Sequence, residues 1–337
     1  MTFFLLTSIF HQAYSADQPK CKVVELKEKY WQCEFSLDVV ITQPNTTISN
    51  ARNENVLKLI FDGGKFIEFL PENIVKTFPN VEIIEITRSY VQSLSHLNFR
   101  SLRKMKILLI SGDLVKSHGV TTIEENSFRD FFNLQYLRID RVNIQTLPRS
   151  LLASLRSLKY LYLNSIDIPL FDSKLLRNNK NLIHFDYTNN KLESIVPGTF
   201  DFLSNLQDLY LHNNELKSLP ENVFRFNKKL IKLFLHNNKF TRIEPLLTSR
   251  LRNLSGFIIS GNSLTILDFE MFRNNTNLKF IDFSNCEIKI VENIELIDKM
   301  LNLEYVNLKE NLCIDNRFSI PDLNRTMKEE LEKKCKD

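Results

Sequence analysis

The chain has 337 residues, 43% hydrophobic and 25% charged, with a formal net charge of +4. A balance so near neutral, without a long basic run, lacks the electrostatic footprint of a nucleic-acid binder. Only 7 glycines stand against 26 phenylalanines, which argues against phosphate-cradling loops and for a core that reuses one bulky plug.

The first residues, "MTFFLLTSIFHQAYSADQ", form an apolar run that ends in small residues at Ala13 and Ser15. This predicts a signal peptide over residues 1–15 and a secreted mature chain. No later segment approaches the eighteen or so apolar residues a membrane span needs, and the tail "KEELEKKCKD" is charged. The expectation is a chain with neither a transmembrane nor a lipid anchor.

From Val56 onward one pattern returns. Apolar residues fall at offsets 1, 4 and 6, Asn at 9, and an apolar residue at 11, in units that start at Val56, Val81, Met105, Leu134, Leu158, Leu182, Leu206, Leu230, Leu254, Leu278 and Leu303. Successive starts are 25, 24 and 29 residues apart, then 24 six times, then 25. One such unit cannot bury its apolar face alone, so stacked copies must share a core. Offsets 4 and 6 alternate with polar positions, as in "LYL" and "LFL", and predict short strands with one face inward. At offset 9, Asn190, Asn214, Asn238, Asn262 and Asn311 are placed to satisfy buried amides of the neighbouring coil. Val142 and Ile166 hold that offset in earlier units and predict a broken ladder there. A second apolar column lies six residues before each start: Val75, Phe99, Phe128, Leu152, Leu176, Phe200, Phe224, Thr248, Phe272 and Ile297. Thr248 is its outlier, and Leu247 is expected to fill the gap.

The pattern L-x-x-L-x-L-x-x-N/C-x-L resembles the extracellular class of the leucine-rich repeat family, whose units run twenty-four residues. The resemblance implies an α/β fold: a curved leucine-rich repeat solenoid with a parallel β-sheet on its concave face, and loops and short helical turns on its convex face. It implies an N-terminal cap over 16–55, eleven repeats over 56–312 and a C-terminal cap over 313–337. It also implies disulfides Cys21–Cys33 and Cys313–Cys335 clasping the caps, the C-terminal one built as a turn and a short helix. Two cysteines in the latter, where four are common, resemble secreted insect members. Cys286 sits at offset 9, where the pattern tolerates Cys, and reads as a buried reduced thiol. The longest unit carries extra residues over 112–123 that must bulge from the turn side, either as a tolerated insertion or as a contact loop.

Offsets 3, 5 and 7 point away from the core. In the middle units they collect Tyr136, Arg138, Tyr160, Tyr162, His184, Tyr210, His212, Phe234 and His236. The pattern predicts these as exposed, and Tyr and Arg are common interface anchors, so they are the candidate partner-binding residues. The alternative is that neighbouring rings merely pair across strands to stabilise the sheet. His212 and His236 share one offset of adjacent units, which opens metal binding or pH sensing, yet no third ligand flanks them. No metal or other cofactor is expected. Sequons at Asn45, Asn253, Asn274 and Asn324 are glycan candidates in a secreted chain.

The sequence lacks G-x-S-x-G, H-E-x-x-H, C-x-x-C and a phosphate loop, so catalysis is not expected. The leading reading is a secreted module that recognises a protein or glycan on its concave face, with innate immunity as one setting. An extracellular matrix or adhesion scaffold is the runner-up, and a homodimer stays open as a partner state.

Overall fold

The computed structural model describes residues 22–26, 30–35, 47, 50, 52–62, 70–88, 91, 93–112, 120–144, 146–170, 172–320 and 323–336. The expected signal peptide, Cys21 and Asn45 lie outside them, as do 113–119 of the insertion.

Among these residues a fourteen-stranded sheet runs the length of the solenoid in chain order. It opens with the antiparallel hairpin Lys22–Leu26 and Tyr30–Phe35, and the second of these strands lies parallel to Val56–Asp62. Each unit then adds one strand in parallel: Ile83–Thr87, Ile107–Ser111, Tyr136–Asp140, Tyr160–Asn164, His184–Asp186, Asp208–Tyr210, Lys232–Phe234, Gly256–Ile258, Phe280–Asp282 and Tyr305–Asn307. Pairing joins equal offsets throughout, Leu161 to Phe185 to Leu209 to Leu233, so each offset forms a column. The sheet closes with Arg317–Ser319, antiparallel to Tyr305–Asn307, which the sequence reading missed. The C-terminal helix Leu323–Lys334 follows, and Cys313 is disulfide-bonded to Cys335 with their Cα atoms 5.2 Å apart. Cys33 is also disulfide-bonded.

The asparagine ladder forms as the offsets require. Asn190, Asn214, Asn238 and Asn262 are buried, and each Oδ1 accepts the backbone N–H of Ile166, Leu192, Leu216 and Phe240 in turn. Their Nδ2 groups donate to carbonyls of their own coil and the previous one, as Asn214 does to Leu211 and Tyr187. At the same offset Cys286 is free and buried, its thiol directed at the carbonyls of Ile259 and Ser284. Burial pushes that thiol up to about 12, so it stays protonated. Val142 and Ile166 are simply packed in the core, where they cannot bridge coils.

The residue before each ladder position turns the chain with positive φ: Arg141, Ser165, Asn189, Asn213, Asn237, Gly261, Asn285 and Glu310. Asparagine tolerates this left-handed region better than most residues, which explains the doubled Asn of "HNN". Gly261 has a second reason, because a Cβ there would meet Asn237 Oδ1 at 2.2 Å.

The outer column departs from expectation at two places. Val75 is only partly buried, and Ile74 takes the core position instead. Thr248, and not Leu247, fills its own site, fully buried. The reason is a second set of buried asparagines that the apolar pattern did not reveal. Asn179, Asn227 and Asn275 recur in every second unit, each donating Nδ2 to two carbonyls of the preceding coil. Among the described residues Oδ1 of Asn179 and of Asn227 has no partner, whereas the Thr248 hydroxyl lies within reach of two acceptors, the Met271 carbonyl and, at 3.0 Å, Asn275 Oδ1. A ring at 248 would remove the one hydroxyl that these two buried oxygens share.

Candidate functional site

The residues predicted at offsets 3, 5 and 7 do meet on one face, but they are less exposed than the alternation predicts. Tyr160 is 39% exposed, His184 is buried, and Tyr136, Arg138, Tyr162, Tyr210, His212, Phe234 and His236 lie between. The cause is their size. Strands about 4.8 Å apart bring same-offset side chains into contact, so large rings bury one another.

The rings form one continuous series along the solenoid. Tyr136 lies 6.1 Å from Tyr160 and 5.1 Å from Tyr162, Tyr162 lies 4.7 Å from His184, and His184 meets Tyr210 edge-on at 4.9 Å. Tyr210 then stacks on Phe234 at 4.7 Å with only 5° between the planes. The backbone of Gly256 lies under the end of the series, where a Cβ would touch Phe234 at 3.7 Å. His212 and His236 form a parallel stack alongside, at 4.0 Å and 15°. A further stack, Phe280 on Tyr305 at 5.0 Å, lies nearer the C-terminal end and was not singled out in the sequence.

Polar groups between the rings are mostly engaged. Arg138 does not reach out as a free anchor: its Nε and Nη2 each donate to Asp140 at 3.0 Å. Asp140 is 3% exposed and also accepts from Arg141 and Ser111, making it a buried hub that hydropathy could not flag. Asp186 accepts from Asn164 and from the N–H of Thr188. His184 Nδ1 lies 3.5 Å from Asp208, while its Nε2 is buried with no hydrogen-bond partner among the described residues. Burial, with Tyr136 beside it, pushes the Tyr162 phenol up to about 12, and burial with Asp208 and Asp186 raises Tyr210. Both hydroxyls remain protonated donors at neutral pH.

The histidine pair is built for stacking. In-plane lone pairs on two nearly parallel rings do not converge on one metal ion. Among the described residues no three His, Cys, Asp or Glu side chains group as a metal site.

The sequon residues Asn253 and Asn274 are exposed, and their Nδ2 atoms donate to the carbonyls of Lys228 and Ser249. Asn324 lies in the C-terminal helix.

Sequence models described as "Leucine rich repeat" and "BspA type Leucine rich repeat region (6 copies)" match residues 204–264 and residues 70–191 and 112–231. Together these spans cover more than half of the chain. This is a leucine-rich repeat protein. Solved structures with the same fold include a chain of the glycosylated Toll–Spatzle complex of Drosophila, 18% identical, with a TM-score of 0.70 over 82% of this chain and 39% of that one. A chain of the TLR13–ssRNA13 complex is 18% identical, with a TM-score of 0.64 over 80% of this chain and 41% of that one. A chain of the Latrophilin 3, Unc5D and FLRT2 complex is 16% identical, with a TM-score of 0.66 over 88% of this chain and 84% of that one. The leucine-rich repeat chain described here therefore spans about two-fifths of the length of the Toll and TLR13 matches. Among the described residues no helix is long and apolar enough to cross a membrane.

Proposed function

We propose that this leucine-rich repeat protein is an extracellular, non-catalytic recognition module that binds a protein partner through the concave face between Tyr136 and His236. The observation that carries the reading is the continuous ring series, which spends tyrosines, histidines and a phenylalanine where the core does not need them. Such rings give large contact area at low entropic cost.

The stacking supports a protein over a glycan. A sugar packs on an open ring face, and here neighbouring rings occupy one another's faces, as between Tyr210 and Phe234. Edges and hydroxyl tips are what remain, and they suit the mixed apolar and polar surface of a polypeptide. Tyr160 alone stands clear enough to offer a face. The family's fold neighbours support the reading in kind, since the Toll and FLRT2 chains come from complexes with other proteins. Secretion and a place in innate immunity belong to the same proposal, as do glycans at Asn45, Asn253, Asn274 and Asn324.

The test combines Tyr162→Ala, Tyr210→Ala and Phe234→Ala, and compares capture from extracellular fluid with that of the unaltered chain. Loss of a specific captured protein while the fold persists supports the proposal. Unchanged capture with reduced stability would show that the rings serve only the sheet. Concentration-dependent self-association without capture would favour a matrix or adhesion scaffold.

A further inference from the structure

His212 and His236 stack face to face, 4.0 Å between centroids, beside the Tyr210–Phe234 platform. His212 lies 6.2 Å from Tyr210, and His236 lies 6.4 Å from Phe234. In both rings Nδ1 is buried and has no hydrogen-bond partner among the described residues. A buried nitrogen of that kind is least costly as a bare lone pair, so the proton of each neutral ring belongs on Nε2. Charging either ring forces an N–H onto Nδ1, where nothing accepts it. Charging both places two cations face to face. The parallel planes also prevent the rings from sharing one proton, because neither lone pair points at the other ring.

The surroundings supply little compensation. On the strand before, Asp186 is held by Asn164 and the Thr188 N–H. On the strand leading to His212, Asp208 faces His184 and Tyr210 is a neutral phenol. The next strand carries Lys232, a like charge. Beyond it, Asp282 favours a charge on His236 but already accepts from Ser284 and Asn307. Among the described residues the histidines with ion-pair partners are His96 and His184, and neither belongs to this pair. Burial lowers His212, and burial together with His212 takes His236 down to about 4.

We propose that the His212–His236 stack is an acid-operated switch on the concave face. Neutral, it braces the Tyr210–Phe234 platform; protonated, the rings part and the platform releases what it holds. The release step rests on the binding reading above, whereas the ring movement does not.

The experiment is an NMR titration of the purified chain from neutral pH to about pH 3, past the expected His236 midpoint, following the imidazole Cε1–H signals and the Tyr210 and Phe234 ring signals. Both histidines are expected to titrate below an ordinary histidine, His236 at about 4, with the platform signals moving as the pair takes up its protons. His236→Phe keeps a ring on His212 but removes one charge, and it is expected to abolish the coupled movement. His236→Gln gives the same result should the added bulk disturb the fold. Either histidine titrating in the ordinary range overturns the switch. So do platform signals that stay still, or that move equally in His236→Phe. No partner enters this measurement, so a failed switch leaves capture at neutral pH as an independent test of the binding reading. Loss of that reading would likewise leave a coupled titration standing.

Discussion

Replacing Asn214 by Val tests the ladder that holds the coils together. Asn214 Oδ1 accepts the Leu192 N–H at 3.0 Å, and Nδ2 donates to the carbonyls of Tyr187 at 2.9 Å and Leu211 at 3.0 Å. The two carbonyls keep a second donor, since Asn190 also donates to Tyr187 and Asn238 to Leu211. The Leu192 N–H keeps no other acceptor, so one buried donor is orphaned, at about 1–3 kcal/mol. Losing the shared donations adds about 1 kcal/mol, for a total of about 2–4 kcal/mol. Urea unfolding followed by circular dichroism reads the loss as a lower midpoint, and amide exchange reads it locally as faster exchange at Leu192. A cost below about 1 kcal/mol, or unchanged exchange at Leu192, would refute the view that the side chain and not the packed turn satisfies that amide.

Three further outcomes follow from the same structure. Phe224→Ala empties a fully packed site whose ring stacks on Phe200 at 5.9 Å, and it is expected to cost about 3–5 kcal/mol in urea unfolding. Thr248→Val keeps the shape but removes the hydroxyl shared by Asn275 Oδ1 and the Met271 carbonyl; a loss of about 1–2 kcal/mol is expected, and no loss would mean that neither oxygen needs that donor. The pH dependence has a definite sign. His236 binds its proton less readily folded, at about 4, than unfolded, near the ordinary 6.5, so the unfolded state holds more protons between those values. Stability should therefore be flat above that window and fall as pH drops through it, by on the order of 1 kcal/mol once solvent screening of a half-exposed ring is allowed for. His236→Gln should reduce this slope in a series of unfolding curves, leaving the part that belongs to His212.

Much of the fold was legible because a solenoid repeats one local rule. The strand columns, the buried Cys286 and the ladder from Asn190 to Asn311 all follow from offsets counted along the chain. The candidate face was legible as positions and not as surroundings. Alternation says that His184 and Arg138 point away from the core, but it carries no side-chain width. Only the stacked coils show Tyr162 and Tyr210 closing over His184, and Asp140 drawing in Arg138.

What this sequence determined by itself is periodicity: which residues share a column, where the coils turn, and why each unit needs its neighbours. Contact between columns was decided only in three dimensions, because it depends on the strand spacing and on which ring leans toward which. That is where Thr248 finds Asn275, where Asn179 and Asn227 reach the preceding coil, and where two histidines a full unit apart become one stacked pair. A repeat pattern reports each residue against the core. It carries no term for what two outward side chains do to each other, and in this protein those contacts make the candidate site.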